Sequence, residues 1–372
     1  MTARDLIKEK KRWVVKVGSA LLTNDGQGLH VELIGQLAQQ ISFLRQRGIE
    51  VLLVSSGAVA AGMAQLGMPK RPEQVDALQA AAAVGQVTLI RQYEQAFKDY
   101  GIKTAQVLLT HSDIANRARY LNAKSTLTKL LELGVLTVVN ENDTVATEEI
   151  CFGDNDNLAA LVANITDADL MVILTDQDGL YTSDPRLNSQ AQLLSEVQAD
   201  DEALLPMASG ASTLGRGGMV TKLTAAQSAA RSGASTVIAN GRIEQVLERI
   251  FEGENLGTLL LAKQRIKSKK QWVAGQMRIQ GTVVLDDGAV KVIKQDGSSL
   301  LVVGVVDVRG SFDRGELLSC IDGSGKEIAR GLSNYNAEET GKLLGKSSGQ
   351  IAEMLGYKVA DELIHRDNLV VL

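Results

Sequence analysis

The chain has 372 residues, 45% of them hydrophobic and 22% charged, enough for two domains with real cores. A formal charge of −5, two cysteines far apart (Cys151 and Cys320) and only three histidines argue against a general nucleic-acid binder, a structural zinc site, a disulfide framework and a histidine relay. Residues 1–12 are charged and lack the apolar stretch of a signal peptide, and no apolar run reaches membrane-spanning length, so a soluble cytoplasmic protein is expected.

Trp13-Val-Val-Lys-Val-Gly-Ser19 reads as a short strand entering a glycine turn. Lys16 interrupts its apolar run. It is either an edge-strand lysine whose ammonium reaches water along its stem or a lysine held near a strand end to meet an anion. Residues 31–47 have helical spacing (Val31, Ile34, Leu37, Ala38, Ile41, Leu44) and stop at Gly48. Residues 50–54 are the next strand, and Ser55-Ser56-Gly57-Ala58 turns into a small-residue helix over 59–66. Unsatisfied N–H groups at such a helix start make an anion cradle.

Residues 76–100 are helical, 104–109 a strand, 122–133 a helix and 134–139 a buried strand. That strand ends in Asn140-Glu-Asn-Asp143, and Gly153-Asp154-Asn155-Asp156-Asn157 then opens the apolar helix from Leu158. Asp and Asn are ordinary helix caps. Two such clusters at neighbouring element ends exceed what capping requires, and in α/β sheets ligands collect at those ends. Residues 170–174 are a buried strand followed by a polar loop, Thr175-Asp176 through Asp184-Pro185, too long for a plain turn. Gly215-Arg216-Gly217-Gly218-Met219-Val220-Thr221-Lys222 leads into a helix over 223–232, and 236–239 is the last strand of this half. The β–α alternation implies a mostly parallel sheet with helices on both faces.

The texture changes at a basic linker (Lys263, Arg265, Lys267, Lys269, Lys270). Beyond it come short β-type runs at 281–285, 290–293, 300–308, 315–321 and 328–332, separated by turns such as Asp-Asp-Gly at 286–288. This spacing suggests a small barrel or sandwich. The boundary is placed near 268, giving domains 1–267 and 268–372.

The 215–222 loop frees backbone N–H groups for phosphate oxygens at a helix start, where Lys222 opposes the helix dipole unless an anion is present. Its spacing is not that of a Walker loop. The nearer match, Gly341 to Ser347, has one residue too few and is discounted. Two lysines, two glycine turns and the carboxylates Asp143, Asp154, Asp156 and Asp176 are the inventory of phosphoryl transfer, where catalysis is mostly positioning and electrostatics.

These pieces resemble the amino acid kinase superfamily: Val-Val-Lys16-Val-Gly-Ser, Val-Ser-Ser56-Gly-Ala, Val-Asn-Glu-Asn-Asp143, Gly-Asp-Asn155-Asp156-Asn, Leu-Thr175-Asp176-Gln-Asp-Gly-Leu-Tyr and Gly-Gly-Met-Val-Thr-Lys222 stand in the family's order. Within it, the resemblance is to members acting on glutamate. The tail, with Asp-Asp-Gly-Ala289, Gly297-Ser-Ser-Leu-Leu and Ile-Ala-Arg-Gly-Leu-Ser-Asn-Tyr335, resembles a PUA domain. Arg216 stands where the family often has a small residue such as Thr.

The resemblance implies ATP-dependent phosphorylation of the γ-carboxylate of L-glutamate, the first step of proline synthesis, with Mg²⁺ on the phosphates and feedback inhibition by proline. It puts Ser56, Asp143 and Asn155 on glutamate. Lys16, Thr175, Asp176 and the residues Arg216, Gly217, Gly218, Met219, Val220, Thr221 and Lys222 fall on ATP. Lys16 and Lys222 would neutralise the transferring group, Asp156 would organise them, and no direct protein ligand to the metal is assigned. A homo-oligomer is expected. Aspartate and uridylate kinases of the same superfamily fit the Asn-Glu-Asn-Asp143 motif and the tail less well. PUA domains commonly bind RNA, but residues 268–372 carry 13 Lys and Arg against 14 Asp and Glu, whereas a phosphate-tracking surface should be basic.

Overall fold

The structure, a computed structural model, describes residues 2–23, 28–110, 113, 117–146, 155–208, 218–262 and 279–371. The chain divides into two compact units, Met1–Ala115 with Ala123–Arg265 and Asn116–Asn122 with Ile266–Leu372. The domain boundary expected near 268 lies outside the described residues.

The first unit is built on an eight-stranded sheet. Its strands are β1 (Arg12–Val17), β2 (Glu50–Ser55), β3 (Thr104–Leu109), β4 (Leu136–Glu141), β5 (Leu170–Thr175), β6 (Glu196–Gln198), β7 (Ser235–Asn240) and β8 (Thr258–Leu261), in the order β3-β4-β2-β1-β5-β7-β8-β6. All pairings are parallel except β7 with β8. The antiparallel β8 and the three-residue β6 extend the sheet beyond the strand at 236–239 that the sequence suggests as its last. Strands β4 and β5 are buried along their whole length, as parallel sheets covered on both faces require.

The helices described between residues 19 and 251 are α1 (Ser19–Leu22), α2 (Val31–Gln46), α3 (Ala58–Gln65), α4 (Val75–Lys98), α5 (Arg117–Glu132), α6 (Asn155–Ile165), α7 (Leu204–Ala208), α8 (Met219–Arg231) and α9 (Val246–Phe251); all belong to the first unit except the start of α5, up to Asn122. Side-chain alternation decides which layer each strand residue meets. Trp13, Val15 and Val17 join one core with Ile34, Leu37 and Ile41 of α2, Leu89, Tyr93 and Phe97 of α4, and Val246 and Ile250 of α9. Val14 and Lys16 therefore face the opposite layer, where α6 packs on β1, β2, β4 and β5, and α8 packs on β5 and β7. Helices α3 and α4 touch backbone to backbone. A Cβ at Gly62 would lie 1.7 Å from the Ala81 carbonyl oxygen, and one at Gly85 1.9 Å from that of Ala58.

Lys16 is no edge-strand residue. It pairs with Val54 of β2 on one side and Ile173 of β5 on the other, and is 5% exposed.

The second unit holds a five-stranded sheet in the order β10-β9-β11-β12-β13, from β9 (Gly281–Leu285), β10 (Val305–Gly310), β11 (Leu317–Ile321), β12 (Glu327–Leu332) and β13 (Leu369–Val371). β9 runs parallel to β11, and the other neighbours are antiparallel. The β-type reading of 290–293 is overturned. These residues lie in helix α10 (Asp287–Asp296), whose N-cap Asp286 accepts a hydrogen bond from the Ala289 N–H and whose end is marked by Gly297. The Asp-Asp-Gly that reads as a turn is this cap. The run at 300–308 is likewise divided, a short 3₁₀ turn at Val302–Gly304 preceding β10.

Candidate active site

Parallel pairing brings the C-terminal ends of β1, β2, β4, β5 and β7 to one edge of the sheet. The chain passes from β1 to β2 on one side, while β5 takes the other side of β1. Strand order reverses at β1, the usual ligand position in such sheets. Two sets of polar side chains meet there.

The first is ionic. Asp156, in the first turn of α6 and 1% exposed, lies 2.6 Å by Oδ1 from the Nζ of Lys16 and 3.1 Å by Oδ2 from that of Lys222. Thr221 donates its hydroxyl to the same Oδ2 at 3.0 Å. Lys222 is itself 5% exposed in the first turn of α8, whose N-cap is Gly218. Burial raises the Asp156 carboxyl, but the ammonium groups of Lys16 and Lys222 outweigh it and hold the group below the usual carboxylate range. Two lysines around one carboxylate leave an excess of one positive charge. The first turns of α6 and α8 lie there too, an arrangement whose charge and dipoles suit an anion.

The second set is neutral. Asn155, the neighbour of Asp156, donates through Nδ2 to the Ser55 carbonyl (2.8 Å), Ser56 Oγ (2.9 Å) and Asn140 Oδ1 (2.9 Å). Asn140 Oδ1 also accepts from the Glu141 N–H at 2.9 Å, and Asn140 Nδ2 donates to Gln86 Oε1 at 2.7 Å. Ser55 and Tyr93 share a buried hydroxyl contact of 2.9 Å. Gly57, with φ of +97°, lets the chain turn at once from β2 into α3.

Of the other expected residues, Thr175 and Asp176 follow the end of β5, where Thr175 donates its hydroxyl to Asp176 at 3.1 Å. The Leu174 carbonyl there accepts from the Gly18 N–H, and a Cβ at Gly18 would lie 3.7 Å from the Lys16 ammonium nitrogen. Asp143 sits in the turn after β4, where burial pushes its carboxyl up to about 6 against the lowering influence of Arg71. Met219 and Val220 open α8. Asp154, Arg216 and Gly217 lie outside the described residues. Sequence analysis reaches Asn140 only as the first residue of the Asn-Glu-Asn-Asp143 cluster and does not single out Gln86 or Tyr93. A faint signal exists in a polar residue closing an apolar strand, and in a glutamine on the buried stripe of an alanine-rich helix.

Among the described residues no group of three or more His, Cys, Asp or Glu could hold a metal ion, and both oxygens of Asp156 already face lysines.

The amino acid kinase family profile matches residues 11–240, and a PUA domain matches residues 281–355. The chain belongs to the amino acid kinase family: it is a kinase whose sequence continues into a PUA domain. Its relatives sharpen this. The glutamate 5-kinase of Saccharophagus degradans is 56% identical over 373 residues, covering 100% of both chains. Those of Pseudomonas paraeruginosa (57% over 371 residues, 99% of this chain and 100% of the relative) and Hahella chejuensis (55% over 372 residues, 100% and 96%) are similar to it over the same span. No helix among the described residues is long and apolar enough to cross a membrane.

Proposed function

We propose that this kinase transfers the γ-phosphoryl group of ATP to the γ-carboxylate of L-glutamate, giving L-glutamyl 5-phosphate and ADP at the head of proline synthesis. The observation that carries this reading is the pair of buried lysines held on Asp156 at the carboxyl ends of the strands. The names of the full-length relatives supply the acceptor.

The chemistry follows from charge. The glutamate γ-carboxylate, with a pKa near ~4.3, is already ionised at neutral pH. It attacks the γ-phosphorus as the bond to the ADP oxygen breaks, and no proton need be removed. Lys16 and Lys222 offset the negative charge on the phosphoryl oxygens, and Asp156 fixes their separation. Thr175, Asp176 and residues 216–222 hold the nucleotide. Ser56, Asn155 and Asp143 hold glutamate, with Asp143 meeting the α-ammonium. Mg²⁺ would bind the nucleotide phosphates rather than a protein carboxylate cluster, and would supply further charge neutralisation there. Proline shares the α-ammonium and α-carboxylate of glutamate, so it inhibits by competing for Asp143.

A coupled assay of ADP release with glutamate, aspartate and N-acetylglutamate tests the reading. Turnover with glutamate alone is expected. Equal turnover with aspartate would move the activity to another member of the family.

A further inference from the structure

The neutral network has a direction, and that direction can be followed from two backbone groups without locating any hydrogen atom. The Glu141 N–H can only donate, so the Asn140 atom it meets at 2.9 Å is the carbonyl oxygen. The Ser55 carbonyl can only accept, so the Asn155 atom 2.8 Å away is the amide nitrogen. These assignments agree with each other, since Asn155 Nδ2 also faces Asn140 Oδ1 at 2.9 Å. The remaining Asn140 atom is then its donor, and the Gln86 atom at 2.7 Å must accept. That leaves Gln86 Nε2 buried with no hydrogen-bond partner among the described residues. An unmet buried amide N–H is destabilising, because it has given up water for no partner. A leucine or methionine would avoid that cost in the same stripe, and what the glutamine adds there is its acceptor oxygen.

At the other end of the chain of bonds, Asn155 has its two N–H groups shared among three protein acceptors. Its Oδ1 is the polar atom left over.

We propose that Gln86 is a positioning residue for the amino-acid substrate: through Asn140 it sets the amide of Asn155 so that Oδ1, not Nδ2, accepts from the substrate α-ammonium. This rests on the glutamate reading above. Without the Gln86 oxygen, the Asn140 donor loses its partner, Asn140 can turn over, and Asn155 loses the acceptor that orders it. Gln86 acts only through these two residues. The nucleotide side, built on Lys16, Asp156 and Lys222, shares none of its bonds.

The test uses the full chain and the variants Gln86→Met, Gln86→Glu, Asn155→Ala and Gln86→Met/Asn155→Ala. Gln86→Met removes the acceptor at similar volume, and Gln86→Glu keeps it. The expected result for Gln86→Met is a glutamate KM raised roughly tenfold, as loss of about 1.4 kcal/mol would give, with kcat and the ATP KM unmoved. Gln86→Glu should restore the glutamate KM. The double variant should be no worse than Asn155→Ala alone. Equal shifts in the glutamate and ATP constants, failure of Gln86→Glu to restore binding, or additive effects in the double variant would each overturn the proposal. If Gln86→Met does not fold, Gln86→Glu decides: a wild-type glutamate KM supports the acceptor role and a raised one overturns it. Thermal melting of the same four proteins reads the relay without substrate, and additive melting shifts would overturn it. If the unaltered chain turns over no glutamate, the proposed function fails, and the melting cycle still judges the relay.

Discussion

Asn155 and Asp156 are adjacent residues on the first turn of α6, yet they serve opposite kinds of surroundings. Asp156 looks toward β1 and α8 and is held by two ammonium groups at 2.6 and 3.1 Å. Asn155 looks toward β2 and β4 and is held by a serine, a backbone carbonyl and another amide. The division is physical. A transferring phosphoryl group spreads negative charge, so the residues near it must be charged and fixed. An amino acid arrives carrying both charges, and a fixed neutral amide can orient one of them without repelling the other. On the proposed function, one helix turn would set the distance between the two reacting partners.

The comparison breaks most visibly on the ionic side. Lys222→Ala is expected to lower kcat by about 10²–10³, the usual loss when one preorganised charge is removed from a transition state, with the glutamate KM little changed. Steady-state kinetics in both substrates checks this, and an unchanged kcat would remove Lys222 from the chemistry. Asp156→Asn leaves two buried ammonium groups without their counter-charge. Breaking a buried ion pair in this way costs about 3–5 kcal/mol, read as a lowered melting temperature that ATP should partly restore.

The amino-acid side should respond in KM instead. Loss of a charge-assisted bond of about 1.5–3 kcal/mol makes Asp143→Ala raise the glutamate KM roughly ten- to hundredfold. Proline inhibition should weaken with it, while the ATP constant stays put. If the ATP constant moves equally, Asp143 belongs to the phosphate side.

A smaller effect comes from pH. The Asp143 carboxyl is pushed up to about 6 by burial, and only its ionised form attracts an ammonium. The glutamate kcat/KM should therefore rise with pH through a midpoint near that value, by roughly tenfold from one unit below it upward. Stability runs the other way. The native state binds a proton that the unfolded chain has released, so stability is fullest below the ordinary aspartate range and is lost as pH rises through about 6. Asp143→Asn should accordingly raise the melting temperature at neutral pH and not at pH ~4, within the span of these two pKa values. A pH profile unaltered by Asp143→Asn would assign the midpoint to another group.

The smallest change is expected from a chain ended near Lys267. Every residue proposed for catalysis precedes it, so kinase activity should persist. A folded but inactive product would mean that the second domain completes the site.

The ionic half of this site could be read from the chain because its residues are chemically conspicuous: a lysine inside an apolar strand, a lysine opposing a helix dipole, and an aspartate cluster where a helix begins. The strand interiors were equally plain from their apolar runs. Of the neutral half, Ser56 and Asn155 follow from the resemblance, but the links among them do not. Asn140 and Gln86 lie 54 positions apart, and nothing local tells a relay amide from a solvated one. Strands β6 and β8 escaped because three or four residues carry too little periodicity. Helix α10 was misread because a capping aspartate and a turn aspartate look alike until the following N–H groups are seen.

The crossing of α3 and α4 has a consequence for substrate grip. Gly85 precedes Gln86, and its missing side chain lets the Ala58 carbonyl come within 1.9 Å of where a Cβ would stand. The crossing therefore works as a spacing gauge whose setting is zero carbon atoms thick. A single added methyl at Gly85 would clash with the Ala58 carbonyl, force α3 and α4 apart and, on the proposal above, carry the Gln86 oxygen away from Asn140 and loosen the hold on the amino acid. If the Gln86 proposal holds, variation in this helix pair would retune affinity for the amino acid while the contacts of Lys16, Asp156 and Lys222 stay as they are.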